Sequence, residues 1–248
     1  MSWAHDSGGT ASSASLITSL SAAVGSAVSA AELIAASYAI DNANGATSGV
    51  VSDQLGNSYS KPSGAVATDS ANQVILEGQL SIATVTGTPT VKVQFNPTPG
   101  TTQSALTSLA VDTLTGSDAS SAADGPGSGQ HQATPTTTTD ALSSGSWSTG
   151  TDGDVLFSAT LDSAAGTNPG TAGTGFTPGQ TTGGGVLKTE WMVQATHSAT
   201  TAATWTALLN EDHVTIAFAV KPAAAGGSTQ IPRMPPQMDP QTNAVQRQ

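Results

Sequence analysis

Val91-Lys92-Val93-Gln94-Phe95 alternates without a break, with Val91, Val93 and Phe95 apolar and Lys92 and Gln94 polar. Successive side chains of a strand point to opposite faces, so a period of two describes a strand with one face on a core and the other in water. This reading puts Val91, Val93 and Phe95 against one packed interior, in a central strand. The segments on either side follow suit. Residues 16–24 and 33–40 read as two strands around Gly25-Ser26-Ala27, with a single Ala-rich helix as the rival because Ala favours helix intrinsically. Asp41-Asn42-Ala43-Asn44-Gly45 is a turn signal. Val50 to Tyr59 reads as a short strand, a turn at Gly56-Asn57 and a strand start, and residues 73–83 as a strand with Gly78 at a bulge. Ser104 to Leu114 continues the pattern, with Leu106, Leu109 and Val111 as core candidates.

Residues 115–140 are rich in Gly, Ser, Thr, Pro and Asp and carry almost no large apolar groups, which predicts a long surface excursion. Strand signals resume at Val155–Leu161. After a Gly-rich loop over 163–185, anchored by Phe176, they return at Glu190–Gln194, Ala203–Leu208 and Val214–Val220. The expected fold is all-β: an antiparallel β-sandwich, jelly-roll-like, over 1–221, followed by a C-terminal extended arm over 222–248. In the arm, Pro222, Pro232, Pro235, Pro236 and Pro240 fix φ and remove donors, so the segment is stiff and cannot join a central strand. Ile231, Met234, Met238 and Val245 are its candidate assembly contacts.

Composition supports the strands. Charged residues are 9% of the chain against a usual ~25%, so the wet faces of ordinary helices could not be furnished. Thr and Ser suit a pleated surface. The formal charge of −11, with 6 Lys+Arg, offers no basic cluster for phosphates and disfavours anionic lipid, so neither nucleic acid nor membrane is an expected partner. Leu16 to Ile40 has a single charge, Glu32, but Ser, Gly25 and Ala interrupt it too often for a membrane span. Met1-Ser2-Trp3-Ala4-His5-Asp6 lacks the basic start of a secretory signal. Cys is absent, which removes disulfides and thiol chemistry.

Candidate chemistry is thin. His5, His131, His197 and His213 are scattered, and Glu211-Asp212-His213 places carboxylates beside an imidazole only in sequence, where neighbours point apart. Asp152-Gly153-Asp154 has two carboxylates, whereas Ca²⁺ takes six to eight oxygens, so a plain turn is the better reading. Gly173-Thr174-Gly175-Phe176 and Gly183-Gly184-Gly185 lack the following helix of a phosphate cradle. Trp191 and Trp205 sit in strand-like segments and read as core. Trp147, in Ser-Gly-Ser-Trp-Ser-Thr-Gly, is the candidate glycan contact, with burial under a loop as the alternative. No catalytic residue, metal ligand or cofactor is expected.

Taken in order, Val51-Ser52-Asp53-Gln54-Leu55-Gly56-Asn57-Ser58-Tyr59, Val91–Phe95, Asp124-Gly125, Gly153-Asp154-Val155-Leu156, Ala172-Gly173-Thr174-Gly175-Phe176-Thr177, Glu190-Trp191, Ala203–Thr206 and Val214–Phe218 resemble a family of jelly-roll-like β-sandwich domains. Its members occur in phage virion proteins and in bacterial secreted or surface proteins. The resemblance spans residues 15–221; Val111 to Gly116 and the 115–140 excursion depart from it. It implies a non-enzymatic virion protein (capsid decoration, head fibre or tail-associated subunit), forming a homo-oligomer and contacting other capsid or tail subunits. The alternative is a carbohydrate-binding or adhesion module that meets a host-surface glycan.

Overall fold

The computed structural model describes residues 3–13, 15, 17–41, 48–95, 107–118, 123–132, 141–163, 170–183, 186–198, 200–206 and 212–223. Asn44-Gly45, Leu106 and the arm residues Ile231, Met234, Met238 and Val245 lie outside them. Among the described residues every regular element is a strand, and no helix is long and apolar enough to cross a membrane. The Ala-rich stretch forms strands rather than the rival helix.

The elements are β1 (Ala4–Ser13), β2 (Ser19–Ala23), β3 (Leu33–Asp41), β4 (Gly49–Asp53), β5 (Val66–Asp69), β6 (Val74–Ile82), β7 (Thr90–Phe95) and β8 (Thr107–Thr115), then β9 (Ser128–Gln132), β10 (Ala141–Ser143), β11 (Asp154–Asp162), β12 (Thr171–Ala172), β13 (Thr177–Thr181), β14 (Leu187–Gln194), β15 (Thr204–Thr206) and β16 (His213–Val220). The first eight make a five-stranded sheet, β1-β8-β3-β6-β5, facing a three-stranded sheet, β2-β7-β4. The second eight repeat this order strand for strand, as β9-β16-β11-β14-β13 facing β10-β15-β12. The chain shuttles between the two sheets in each unit, which is the winding of a jelly roll. Where the sequence predicts one sandwich over 1–221, the topology holds two.

The two units stack through their five-stranded sheets. β1 lies against β13 and β5 against β9, while β8 lies against β14 and β6 against β16. Exchanging the units turns each contact into its counterpart, so the pair has an approximate two-fold relation. Four sheets in four layers enclose three cores. Ile34, Ala36, Tyr38 and Ile40 of β3 meet Leu20, Val91, Val93 and Phe95 in the first. Leu33, Ala35, Leu80 and Leu114 meet Val155, Phe157, Phe218 and Val220 in the middle. Leu156, Ala217 and Ala219 meet Trp147 and Ala203 in the last.

This layering explains the burial patterns. β3, β11 and β16 are buried at every position because both of their faces are covered. β7 is the middle strand of an outer sheet, and it alternates exposed and buried as its sequence requires.

Four sequence expectations change. The 115–140 excursion contains β9, which pairs with β16 from Ser128↔Ala217 to Gln132↔His213. Its polar sequence makes an edge strand, where one side of the ladder is free to face other partners. β1, with sequence AHDSGGTASS, has no strand signal either, yet it runs alongside β8 from Ala4↔Thr115 to Ser13↔Thr107. Its glycines serve close approach, since a Cβ on Gly9 would stand 2.1 Å from the Ala23 carbonyl oxygen. Gly78 is not at a bulge but pairs regularly with Ser37, and its missing side chain admits Phe218, whose ring lies 2.9 Å from where a Cβ would be. Val51 to Tyr59 is not a hairpin, because β4 pairs with the distant β7. It is a turn folded around Asp53, which accepts hydrogen bonds from the backbone N–H groups of Leu55 and Asn57, the Asn57 side chain and the Tyr59 hydroxyl.

Phe95 is 3% exposed and packs edge-on against Tyr38, with ring centroids 6.4 Å apart. Phe95→Ala is expected to lower unfolding free energy by about 3–5 kcal/mol in denaturant titration. A change within about 0.5 kcal/mol, the range of surface substitutions, would contradict its place in the first core.

Candidate functional site

The residues singled out by sequence do not converge. Trp147 is 6% exposed: its backbone bridges Thr201, and its ring fills the space left by the small side chains of Ala203, Ala217 and Ala219. A ring so covered offers no face for stacking on a sugar, which corrects the expected glycan contact. Asp152 and Asp154 diverge across Gly153. Asp152 is exposed and bonds the ring Nδ1 of His197 at 2.7 Å, whereas Asp154 points into the protein. Asp212 turns to the Asn72 side chain at 3.1 Å, and His213 is buried beside Asp162 with neither ring nitrogen hydrogen-bonded. Burial lowers the His213 imidazole to about 4. Gly173 donates its N–H to Glu190 Oε2 at 2.8 Å rather than to a phosphate. Among the described residues no group of three or more acidic or His side chains is placed to hold a metal ion.

Two polar surfaces escaped the sequence reading. The first is internal. Ser158, Thr160 and Asp162 of β11, Lys188 and Glu190 of β14, and His213 and Thr215 of β16 share the face of the second five-stranded sheet that looks toward β10-β15-β12. Thr160 bonds Thr215 at 2.9 Å, Trp205 donates its indole N–H to Ser158 at 3.0 Å, and Lys188 donates to the Gly170 carbonyl at 2.6 Å. Polar alternates in a strand normally signal a wet face; here a second sheet covers that face, so alternation pointed the wrong way.

The second surface is external. On the outer face of β2-β7-β4, Ser21, Lys92 and Ser52 lie side by side in register, next to Thr90. With Asp53 and Gln54 they line an open depression of about 450 Å³. Asp53 is occupied by its turn, and Gln54 clips β4 to the neighbouring chain through Thr88 O at 2.8 Å and Thr90 N at 2.6 Å. The hydroxyls of Ser21, Ser52 and Thr90 and the Lys92 ammonium remain for a partner.

No family model, curated protein or solved structure matches the chain. The site is therefore read on its chemistry alone. The external depression is open, and hydroxyl groups make up much of its lining. The internal face has no such access: Thr160 and Thr215 bond each other, and Ser158, Lys188 and Glu190 bond Trp205, Gly170 and Gly173 of the covering chain.

Glu190 is the group whose charge the interior opposes most plainly. It is fully buried, and burial pushes its carboxyl up to about 8, only partly offset by the Gly173 N–H. The folded state thus keeps a proton that the unfolded chain, with its ordinary value of 4.5, releases. Stability contributed by the neutral acid is full below that unfolded value, declines as pH rises, and levels off above pH 8. Glu190→Gln keeps the acceptor for Gly173 and cannot ionise. Its unfolding free energy relative to the parent is expected to rise between pH 5 and 8, by on the order of a few kcal/mol. A difference that does not vary with pH would show that Glu190 is not held neutral.

Proposed function

We propose that the chain is a non-enzymatic structural subunit of a phage virion (a capsid decoration, head fibre or tail-associated protein) that assembles through its sandwich surfaces and its C-terminal arm. The observation that supports this reading most is the doubled jelly roll. Two eight-stranded units stacked through their larger sheets make a stiff block, and jelly rolls recur in viral capsid and lectin domains. Three supporting features lie on the exterior. The outer sheets are short and present Ser and Thr. β10 ends the second outer sheet, with one pairing side outside the ladder. The arm leaves from an anchored point, because Ala223 donates its N–H to the Gly116 carbonyl at 2.6 Å and Pro222 bridges Ser117.

The arm then contributes assembly affinity rather than fold stability. Its prolines lower the entropy lost on docking, and Ile231, Met234, Met238 and Val245 supply apolar anchors. Neighbouring capsid or tail subunits and further copies of this chain are its partners, and the virion is its location. The second reading, an adhesion module at a cell surface, draws on the hydroxyl-rich depression around Lys92 and would place a host glycan there.

Truncation after Ala223 is expected to leave the unfolding midpoint unchanged while lowering incorporation into purified particles about tenfold or more, read by mass spectrometry. Undiminished incorporation would contradict the assembly role, and an unfolded product would make the arm part of the core. A polysaccharide array on which binding is lost in Lys92→Ala would favour the adhesion reading instead.

A further inference from the structure

The lysines of the chain are Lys61, Lys92, Lys188 and Lys221, and all but one are engaged. Lys61 donates to Glu77 at 2.9 Å, Lys188 donates to the Gly170 carbonyl at 2.6 Å, and the Lys221 ammonium lies 3.8 Å from Asp124. Lys92 is exposed, and among the described residues its ammonium has no ion pair or hydrogen bond. In a chain of formal charge −11, most of the surface repels an anion, and an unengaged ammonium marks a place that attracts one.

Lys92 stands on the middle strand of the outer sheet β2-β7-β4. Pairing on both sides places Ser21 beside it on β2 and Ser52 beside it on β4, and all three side chains are exposed. Neighbouring strands lie about 4.8 Å apart, so the ammonium has a hydroxyl on either hand within the span of a sugar ring. Two residues along β7, Thr90 adds a third hydroxyl to the same depression. The surround is fixed in advance. Val91 and Val93 anchor β7 in the first core from behind, Asp53 is held in its turn, and Gln54 ties β4 to Thr88 and Thr90. Groups already in place lose little entropy on binding. The corresponding strands of the second unit, β10, β15 and β12, contain no charged residue, so Lys92 is a feature of this sheet and not of the shared winding.

The chemistry of the lining narrows the ligand. A single cation selects against polyanions, because nucleic acids and sulfated polymers need clustered Lys and Arg to displace their counterions. Serine and threonine hydroxyls both donate and accept, as the hydroxyls of a sugar do. A peptide would seek an apolar pocket or an open backbone edge, whereas the backbone of β7 is paired on both sides. We propose that the depression around Lys92 binds a saccharide that carries a carboxylate, with the Lys92 ammonium on the acid group and Ser21, Ser52 and Thr90 on the neighbouring hydroxyls. This site rests on the adhesion reading, narrows its glycan to an acidic one, and leaves the assembly role of the arm as it stands.

Titration of the full chain by ¹H–¹⁵N NMR with methyl glucuronide, methyl glucoside and acetate tests this, because the two sugars differ only in a carboxylate against a hydroxymethyl group. The Ser21, Ser52, Thr90 and Lys92 amides are expected to shift and saturate with the glucuronide, at an affinity about fivefold or more above those for the glucoside and for acetate. The preference should shrink as salt is raised. Lys92→Gln, which keeps a donor and loses the charge, should bind both sugars alike. Equal binding of the two sugars by the unmodified protein would overturn the acidic class and leave the adhesion reading standing. Binding of neither would overturn the site, and the adhesion reading would then stand or fall with the polysaccharide array. Acetate or an acetylated aspartyl dipeptide binding as tightly as the glucuronide would make the depression a general carboxylate receptor and contradict the saccharide. A Lys92→Gln variant that still prefers the glucuronide would remove Lys92 from the site.

Discussion

Leu33, Ala35 and Leu114 of one five-stranded sheet press against Phe157, Phe218 and Val220 of the other, and the rest of the molecule is arranged around that contact. Each of these sheets is also covered on its other face, by its own three-stranded partner. Strands buried on both faces have no water to satisfy polar side chains, so any such group needs a partner inside the protein. Glu77 and Asp69 follow that rule. Glu77 takes hydrogen bonds from Tyr38, Gln79 and Lys61, the last at 2.9 Å. Asp69 takes them from Asn72 at 2.7 Å and Ser163 at 2.6 Å, the second of these joining the two units. Few charges overall and many buried ones are two sides of the same layered construction.

The middle core also departs from its own symmetry at an informative place. Where β8 meets β14, Asp112 accepts from Thr189 at 2.7 Å and bonds His5 Nε2 at 2.9 Å, with Gly179 leaving room for the carboxylate. Where β16 meets β6, the related contact is apolar, Phe218 over Gly78. A polar joint on one side and an aromatic one on the other distinguish the two ways of fitting similar sheets together. The hydrogen bond to Asp112 raises the His5 imidazole above its ordinary 6.5. The stability it adds is therefore full below that ordinary value and lost as pH rises through the folded one. This pair sits where β1 joins the stack.

How much of this could be read in advance depended on which face of a strand was wet. Val91 to Phe95 was legible because its sheet is covered on one side only, so the period of two survives in the sequence. β3 and β16 were legible as apolar runs, but nothing in Ser158-Ala159-Thr160 says that the hydroxyls face a second sheet instead of solvent. β1 and β9 were invisible, being edge strands of Gly, Ser and Gln held by a partner's ladder. The repeat of strand order was hidden too, since the two units share a winding and not a residue pattern. Trp147 misled because its neighbours in sequence are polar and its neighbours in space are Ala203, Ala217 and Ala219.

The central claim is that the two sandwiches fold as one body through their shared middle core, and native-state hydrogen exchange under increasing denaturant tests it most directly. Amides of β3 in the first unit and β11 in the second should report the same opening free energy and denaturant dependence, that of global unfolding. If instead the β11 and β16 amides open at distinctly lower denaturant while β3 and β6 stay protected, the second sandwich unfolds on its own and the stacked core is not what holds the molecule together.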